Sequence, residues 1–227
     1  MDKEVCKMIN LNIPVFTQHN LVTCGPFCMK MVMSYLKVER TIEEIKESCN
    51  YCSHGTLETG IVLGLKRFGI DSKLFIVPDG DTIKGAYVGM PSNKLATTLR
   101  RRGGHSKNNI NKRGFAELSE VVENGQIDLS VVTRAQIEKE LDKGNPWIVV
   151  VSSFAFYGST DDKKKGLLHF VVITGYDEDN FIINDPAPDT GTRKIQKDLL
   201  LHSIYSSEGR AICVFRGDNI KQGDHNE

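Results

Sequence analysis

The sequence of 227 residues lacks long apolar runs, an excess of either charge, and an apolar start. Its longest apolar runs, such as Trp147 to Val151, are far too short to cross a bilayer. Lysine plus arginine and aspartate plus glutamate number 29 each, which gives no reason to expect a nucleic-acid or membrane partner. Residues 1–7 are mostly charged, unlike a secretory signal, so we expect a cytoplasmic protein.

The cysteine content does not indicate a small, disulfide-stabilised protein. The six cysteines are even in number, but a chain of this length buries enough core to fold without disulfide staples. Hydrophobic residues make up 40% and charged residues 26%, as in an ordinary globular protein. We therefore expect a single domain with reduced thiols, and nothing in the composition indicates an oligomeric state.

The most informative segment runs from Gln18 to Pro26. Cys24 follows the Gln18 amide by six residues, and Gly25-Pro26 comes directly after it. An apolar helical stripe then follows, at Cys28, Met31, Val32, Tyr35 and Leu36. Because proline suits the first turn of a helix, Cys24 is predicted at or just before a helix N-terminus. The helix dipole favours thiolate over thiol there, which makes Cys24 a candidate nucleophile.

A base and an orienting group for such a nucleophile occur far down the chain. His169 lies in an apolar stretch that is typical of a strand, and Asp185 follows 16 residues later, at the end of a second strand. Residues 176–180 are predicted to form the hairpin turn between them. Antiparallel pairing of the two strands brings Asp185 beside His169, where a carboxylate fixes the imidazole tautomer.

Together, Gln18, Cys24-Gly25, the His169 strand and Asn184-Asp185-Pro186 resemble papain-like cysteine peptidases of the bacteriocin-processing, double-glycine-leader type and their stand-alone relatives. The resemblance covers roughly residues 11–78 and 131–190. It implies a two-lobed α+β fold, with a helical lobe followed by an antiparallel sheet lobe. It also implies Cys24 as nucleophile, His169 as base, Asp185 as orienting group and Gln18 as oxyanion donor.

The same resemblance implies hydrolysis of a peptide or protein substrate through a thioester, with small residues, glycine among them, before the cut. This chemistry needs no metal and no organic cofactor. Transporter segments that often accompany such peptidases are not found in the sequence, so a stand-alone processing peptidase is expected. Phytochelatin-synthase-like relatives indicate an alternative, in which an amine or a thiol replaces water at the thioester.

The domain organisation follows from where the resemblance holds. Residues 11–77 are predicted to form the helical lobe and 131–216 the sheet lobe. Residues 78–130 fit the family poorly and are predicted to be an insertion, and residues 217–227 a flexible tail.

Helix boundaries are predicted from capping residues. Thr41 and Thr133 each precede a glutamate or glutamine by three residues, the spacing of a capping box, and Thr56 and Ser92 are predicted as further caps. The stretch from Arg100 to Arg113 is predicted to be a basic loop. Its pair Gly103-Gly104 raises the alternatives of a self-cleavage site or a lid.

Clustered cysteines leave a different class of function open. Cys24, Cys28, Cys49 and Cys52, with His54 nearby, approach the spacing of a zinc site and suggest a non-enzymatic zinc-binding module as an alternative. Cys49 and Cys52 also have the spacing of a regulatory disulfide, or of two unremarkable loop cysteines.

Overall fold

The structure is a computed structural model that describes residues 8–78, 82–158 and 167–217. Its helices are α1 (Cys24–Tyr35), α2 (Ile42–Ser48), α3 (Glu58–Arg67), α4 (Ser92–His105), α5 (Asn109–Glu123), α6 (Arg134–Asp142), α7 (Ser153–Phe156) and α8 (Lys197–Tyr205). Its strands are β1 (Ile9–Asn10), β2 (Ser72–Phe75), β3 (Ile127–Asp128), β4 (Trp147–Ser152), β5 (Leu168–Tyr176), β6 (Asn180–Asp185), β7 (Gly191–Gln196) and β8 (Ala211–Val214). A short 3₁₀ turn covers Gly85–Tyr87.

One mixed sheet contains these strands in the order β3-β2-β8-β4-β5-β6-β7, and β1 adds to β5. The β2–β3 pair is parallel, and the other pairs are antiparallel. The predicted α+β class is therefore confirmed. Strand β2, from the N-terminal helical part of the chain, pairs with β8 near the C-terminus.

Two apolar layers cover the two faces of the sheet. Along β4, Ile148 and Val150 pack with α1 to α5, whereas Val149 and Val151 pack with α6 and α8. This alternation is the period-two pattern of a strand that is buried on both faces. In β5, His169 has the same parity as Val171, whose side chain packs in the α6–α8 layer.

Helix capping follows the sequence at two of the four predicted sites. Thr41 and Thr133 form complete capping boxes with Glu44 and Gln136. The prediction for Thr56 is wrong: Leu57 is the N-cap of α3, and the Thr56 hydroxyl donates to the Cys49 carbonyl at 2.6 Å. The prediction for Ser92 is wrong in the same way, since Pro91 occupies the N-cap of α4 and no side chain caps that helix.

The basic loop predicted for residues 100–113 is helical over most of its length. Residues up to His105 continue α4, and α5 begins at Asn109 with Asn108 as its cap. The Asn108 side-chain oxygen accepts from the backbone of Ile110 at 2.8 Å. The sequence conceals this turn because polar side chains cover the solvent faces, and Gly103-Gly104 suggests a break. Inside a helix, this pair gives no support to a self-cleavage loop or a lid.

Gly103 lets α4 and α5 approach closely. It is buried, and a Cβ atom added there would lie 2.9 Å from Cβ of Phe115. A Cβ atom added to Gly104 would meet nothing within 4 Å. The two neighbouring glycines of one helix therefore have different roles.

We predict opposite effects of alanine at these two positions. Gly104→Ala should raise the free energy of unfolding by up to about 1 kcal/mol, because alanine favours the helix. Gly103→Ala gains the same preference but overpacks the interface, and should lower the free energy of unfolding by about 1 kcal/mol. Urea denaturation of both variants measures the difference. Equal stabilisation by both substitutions would contradict close packing at Gly103.

No helix in the described ranges combines the length and apolar composition needed to cross a membrane. The predicted tail lies outside the described residues from position 218 onward.

Candidate active site

The β5–β6 hairpin places His169 against Asp185. The two strands pair antiparallel, with Val172 opposite Asn184, as the sequence predicts. The last residue of β6 therefore returns to the first residues of β5. Nε2 of His169 lies 2.8 Å from Oδ1 of Asp185, and both side chains are buried. This contact orients the imidazole and leaves its other ring nitrogen for another partner.

Asp185 is held by more than the histidine. Oδ1 also accepts from the backbone N–H of Ala187 at 2.9 Å. Oδ2 accepts from the Tyr157 hydroxyl at 2.8 Å and lies 3.4 Å from a guanidinium nitrogen of Arg193. Burial raises the pKa of Asp185, but His169 and these donors outweigh burial and keep the pKa below its ordinary value. The carboxylate therefore stays ionised beside the imidazole.

Cys24 is the first residue of α1 and is buried. The hydroxyl of Thr23 donates to the Asn20 carbonyl and does not cap α1. The first N–H groups of the helix therefore have no side-chain cap. Such groups can hold an anion.

Gly25 allows the start of α1 to lie close to the sheet. A Cβ atom there would collide with the Thr56 methyl group and lie 3.4 Å from the Phe170 ring. Phe170 is the neighbour of His169 on β5, so this close approach brings the start of α1 to the base. The Cys24-Gly25 dipeptide thus has a packing reason as well as a chemical one.

The Cys24 thiol lies close enough to His169 to act on the pKa of the imidazole, so the start of α1 faces the start of β5. Burial lowers the pKa of His169, but the hydrogen bond to Asp185, together with that to Cys24, overcomes burial and raises the pKa to about 9. At neutral pH the ring is therefore protonated.

Gln18 lies beside the same group. Its backbone N–H donates to the Pro186 carbonyl at 2.8 Å, which ties the Gln18 segment to the end of β6. The side chain is 5% exposed, and its amide oxygen has no hydrogen-bond partner among the described residues. A buried amide oxygen without a partner is unusual.

The four residues predicted from the sequence thus lie around one site, but Tyr157 and Arg193 were missed. Tyr157 follows the four-residue helix α7, and Arg193 lies on β7, a strand that the sequence analysis did not predict. The Arg193 guanidinium stacks 4.5 Å from the ring centroid of Phe156 and 5.3 Å from that of Tyr157. No spacing in the sequence links these residues to Asp185.

The cysteine cluster is dispersed. Cys24, Cys28, Cys49 and Cys52 are all free thiols. Cys28 lies one turn beyond Cys24 in the core, where burial and then the nearby Cys24 and Asp185 raise its pKa. Within residues 8–78, 82–158 and 167–217, no three histidine, cysteine or acidic side chains are arranged to hold a metal ion. Since a structural zinc site needs four converging ligands, the zinc-module alternative has no geometric support.

Comparison with known proteins agrees with this architecture. A protein from Bacillus anthracis described as a C39-like peptidase superposes with a TM-score of 0.54 at 11% identity, over 93% of this chain and 98% of that one. The peptidase domain of Streptococcus ComA, a bifunctional ABC transporter involved in a quorum-sensing pathway, gives 0.50 at 16% identity, over 91% and 100%. A search of curated proteins finds no match.

The fold is therefore that of the papain-like C39 peptidases. The profile described as the Peptidase C39-like family matches residues 10–208, and the chain belongs to this family. The resemblance predicted from Gln18, Cys24, His169 and Asp185 is confirmed at the level of the family, and the family and fold indicate a peptidase.

Proposed function

We propose that this protein is a cysteine peptidase that hydrolyses a peptide bond through a thioester intermediate. The observation that carries the proposal is His169, which meets the Cys24 thiol on one side and the Asp185 carboxylate on the other. In this arrangement Cys24 is the nucleophile, His169 the acid and base, and Asp185 the orienting group. Gln18 and the backbone N–H of Cys24 are the donors to the oxyanion.

The reaction begins with the Cys24 thiolate attacking the carbonyl carbon of the substrate. The carbonyl oxygen becomes an oxyanion, which the Gln18 amide and the Cys24 N–H stabilise. The His169 imidazolium then donates its proton to the leaving amine, and the C–N bond breaks to give a thioester. The neutral imidazole next takes a proton from water as the water attacks, and the thiolate leaves.

The substrate in this proposal is a peptide or protein that is processed at one site, with small residues such as glycine before the cut. The same thioester reacts with an added amine or thiol if the protein is instead an acyltransferase. Mass spectrometry of the products in the presence of such acceptors distinguishes hydrolysis from transfer. No observation on the site favours transfer.

Thiol reactivity tests the proposal without a known substrate. We expect iodoacetamide at neutral pH to alkylate Cys24 at least about tenfold faster than Cys52, because an adjacent histidine activates a nucleophilic thiol. Cys52 is a stringent reference, because its own properties favour alkylation. It is more exposed than Cys24, and the His54 backbone N–H, with Arg113 at 3.1 Å, lowers its pKa.

Peptide mapping by mass spectrometry measures the two rates in the same sample. In His169→Ala, the alkylation rate of Cys24 should fall to that of Cys52 or below. In Cys24→Ala, the alkylation rate of Cys52 should be the same as in the wild type. If Cys52 reacts first in the wild type, or if His169→Ala leaves the rate at Cys24 unchanged, the proposed pairing is wrong.

A further inference from the structure

A second concave site lies outside the four candidate catalytic residues. A cavity of about 610 Å³ lies between the start of α3, helices α4 and α5, and the segment that leads into β8. This volume is within the range of small-molecule and side-chain binding pockets. Part of its lining is apolar, from Leu57, Ile110, Phe115 and Leu118.

The strand register places this cavity near the candidate active site. Arg210, which lines the cavity, accepts through its backbone carbonyl from the N–H of Val150 at 3.0 Å. The next residue, Val151, lies opposite His169 on β5. Arg210 is therefore two strands from His169, roughly 10 Å at the usual strand spacing. An extended peptide covers that distance in about three residues.

The helical side of the cavity begins equally close to Cys24. Thr56 packs against the Gly25 position, next to Cys24, and Leu57 and Glu58 of the cavity wall follow directly in the chain. Both the helical and the strand side of the candidate site thus continue into the cavity.

Glu58 gives the cavity its chemical character. It is 7% exposed. Its contact is an ion pair, with Oε1 3.6 Å from Nε of Arg210, and Glu208 holds the same guanidinium at 2.8 Å. Two carboxylates therefore share one cation, and the acceptor capacity of the Glu58 carboxylate is largely unused.

The other basic groups of the lining do not neutralise Glu58 in the structure. Arg102 donates to the Thr82 carbonyl at 2.8 Å, and its guanidinium lies 4.7 Å from the centroid of the Phe115 ring. Lys84 is exposed, where solvent and salt screen its charge. The open acceptor and the apolar walls together favour a ligand with an apolar stem and a cationic head.

We propose that this cavity is a substrate subsite that binds a lysine or arginine side chain about three residues from the scissile bond. The stem packs against Leu57 and Phe115, and the cationic head donates to Glu58. This inference rests on the proposed peptidase function and adds a specificity to it.

Peptides with a graded side chain test the subsite. Internally quenched decapeptides with a central Gly-Gly pair carry lysine, norleucine or glutamate at one position at a time. Norleucine keeps the apolar stem and lacks the charge. We expect kcat/KM to be about tenfold higher for lysine than for norleucine at a position three or four residues from the cut, because a hydrogen bond to a charged group is gained. Glutamate there should be the poorest substrate.

Variants at the cavity rim make the test specific. Asn111 lines the cavity and is exposed, and the helix cap is Asn108. Substitutions at Asn111 are therefore compatible with folding. Asn111→Asp should raise the lysine-to-norleucine ratio, and Asn111→Lys should lower it. Glu58→Gln should bring the ratio close to one. Glu43→Gln, on the exposed face of α2, is the matched control and should leave the ratio unchanged.

Failure of the subsite is distinguishable from failure of the proposed function. If the glycine peptides are cut but lysine and norleucine are equivalent at every position, the subsite is wrong and the peptidase proposal stands. If no peptide is cut, fluorescence anisotropy with Cys24→Ala measures binding of the same lysine and norleucine peptides directly. A tighter Kd for a lysine peptide that disappears in Glu58→Gln supports the subsite, and equal Kd values overturn it.

Discussion

Replacing Asp185 with alanine is expected to lower kcat/KM on a glycine-containing peptide by about 10²- to 10³-fold. The substitution removes the acceptor that orients Nε2 of His169, which lies 2.8 Å away in the wild type. Loss of the orienting residue costs about 10⁴-fold in serine triads, and a smaller loss is expected here because a thiol ionises more readily than a hydroxyl. The measurement is steady-state kinetics on a quenched peptide.

Asp185→Asn separates charge from orientation. The amide can still hydrogen-bond to the ring, but the carboxylate that helps to raise the pKa of His169 to about 9 is absent. Burial, which lowers the pKa of His169, then has less to counteract it, so this pKa falls. The alkaline limb of the pH profile of kcat/KM, expected near pH 9 in the wild type, should move down by about one to three pH units.

Protein stability should show the same linkage. A pKa that is raised on folding stabilises the protein at pH values below that of the unfolded histidine, about 6.5, and the contribution is lost as the pH rises through about 9. The free energy of unfolding of the wild type should therefore fall over this range. The free energy of unfolding of Asp185→Asn should fall less over the same pH range.

Asp189→Asn is the matched control for these measurements. It makes the same chemical change four residues further on, at an exposed position with a positive φ that asparagine tolerates. It should change neither the rate nor the pH profile. If Asp185→Asn behaves like this control, the carboxylate does not set the protonation of His169.

The part of the site that the sequence predicts best depends on local structure. His169 and Asp185 are joined by a hairpin, and period-two burial fixes which residues of a hairpin share a face. Gly25 and Pro26 mark the start of α1 through backbone geometry alone. In each case a short stretch of chain contains the physical cause of the placement.

The part that the sequence did not reveal depends on contacts between distant segments. Tyr157 reaches Asp185 from the position just after a four-residue helix that has no periodic pattern, and Arg193 does so from a strand with polar residues on its open face. The sequence analysis placed residues 100–113 in a loop, whereas Gly103 lies within α4 and allows close packing against Phe115. Tertiary packing overrides local preference at such positions.

Gln18→Ala is expected to lower kcat by about 10²- to 10³-fold and to leave KM nearly unchanged. An oxyanion donor acts on charge that develops in the transition state, so its loss slows the chemical step without weakening the binding of the ground state. The backbone hydrogen bond from Gln18 to Pro186 does not involve the side chain and is preserved in the variant.

Gln18→Met distinguishes this role from packing, because methionine has a similar volume to glutamine and no donor. If the amide stabilises the oxyanion, the methionine variant should be as slow as the alanine variant, while thermal denaturation shows it to be the more stable of the two. Recovery of kcat by methionine would mean that the buried Gln18 side chain supports the site only by filling space. A rise in KM with kcat preserved would instead assign Gln18 to substrate binding. The buried amide of Gln18 favours the first outcome, because a group kept only for packing has no reason to be polar.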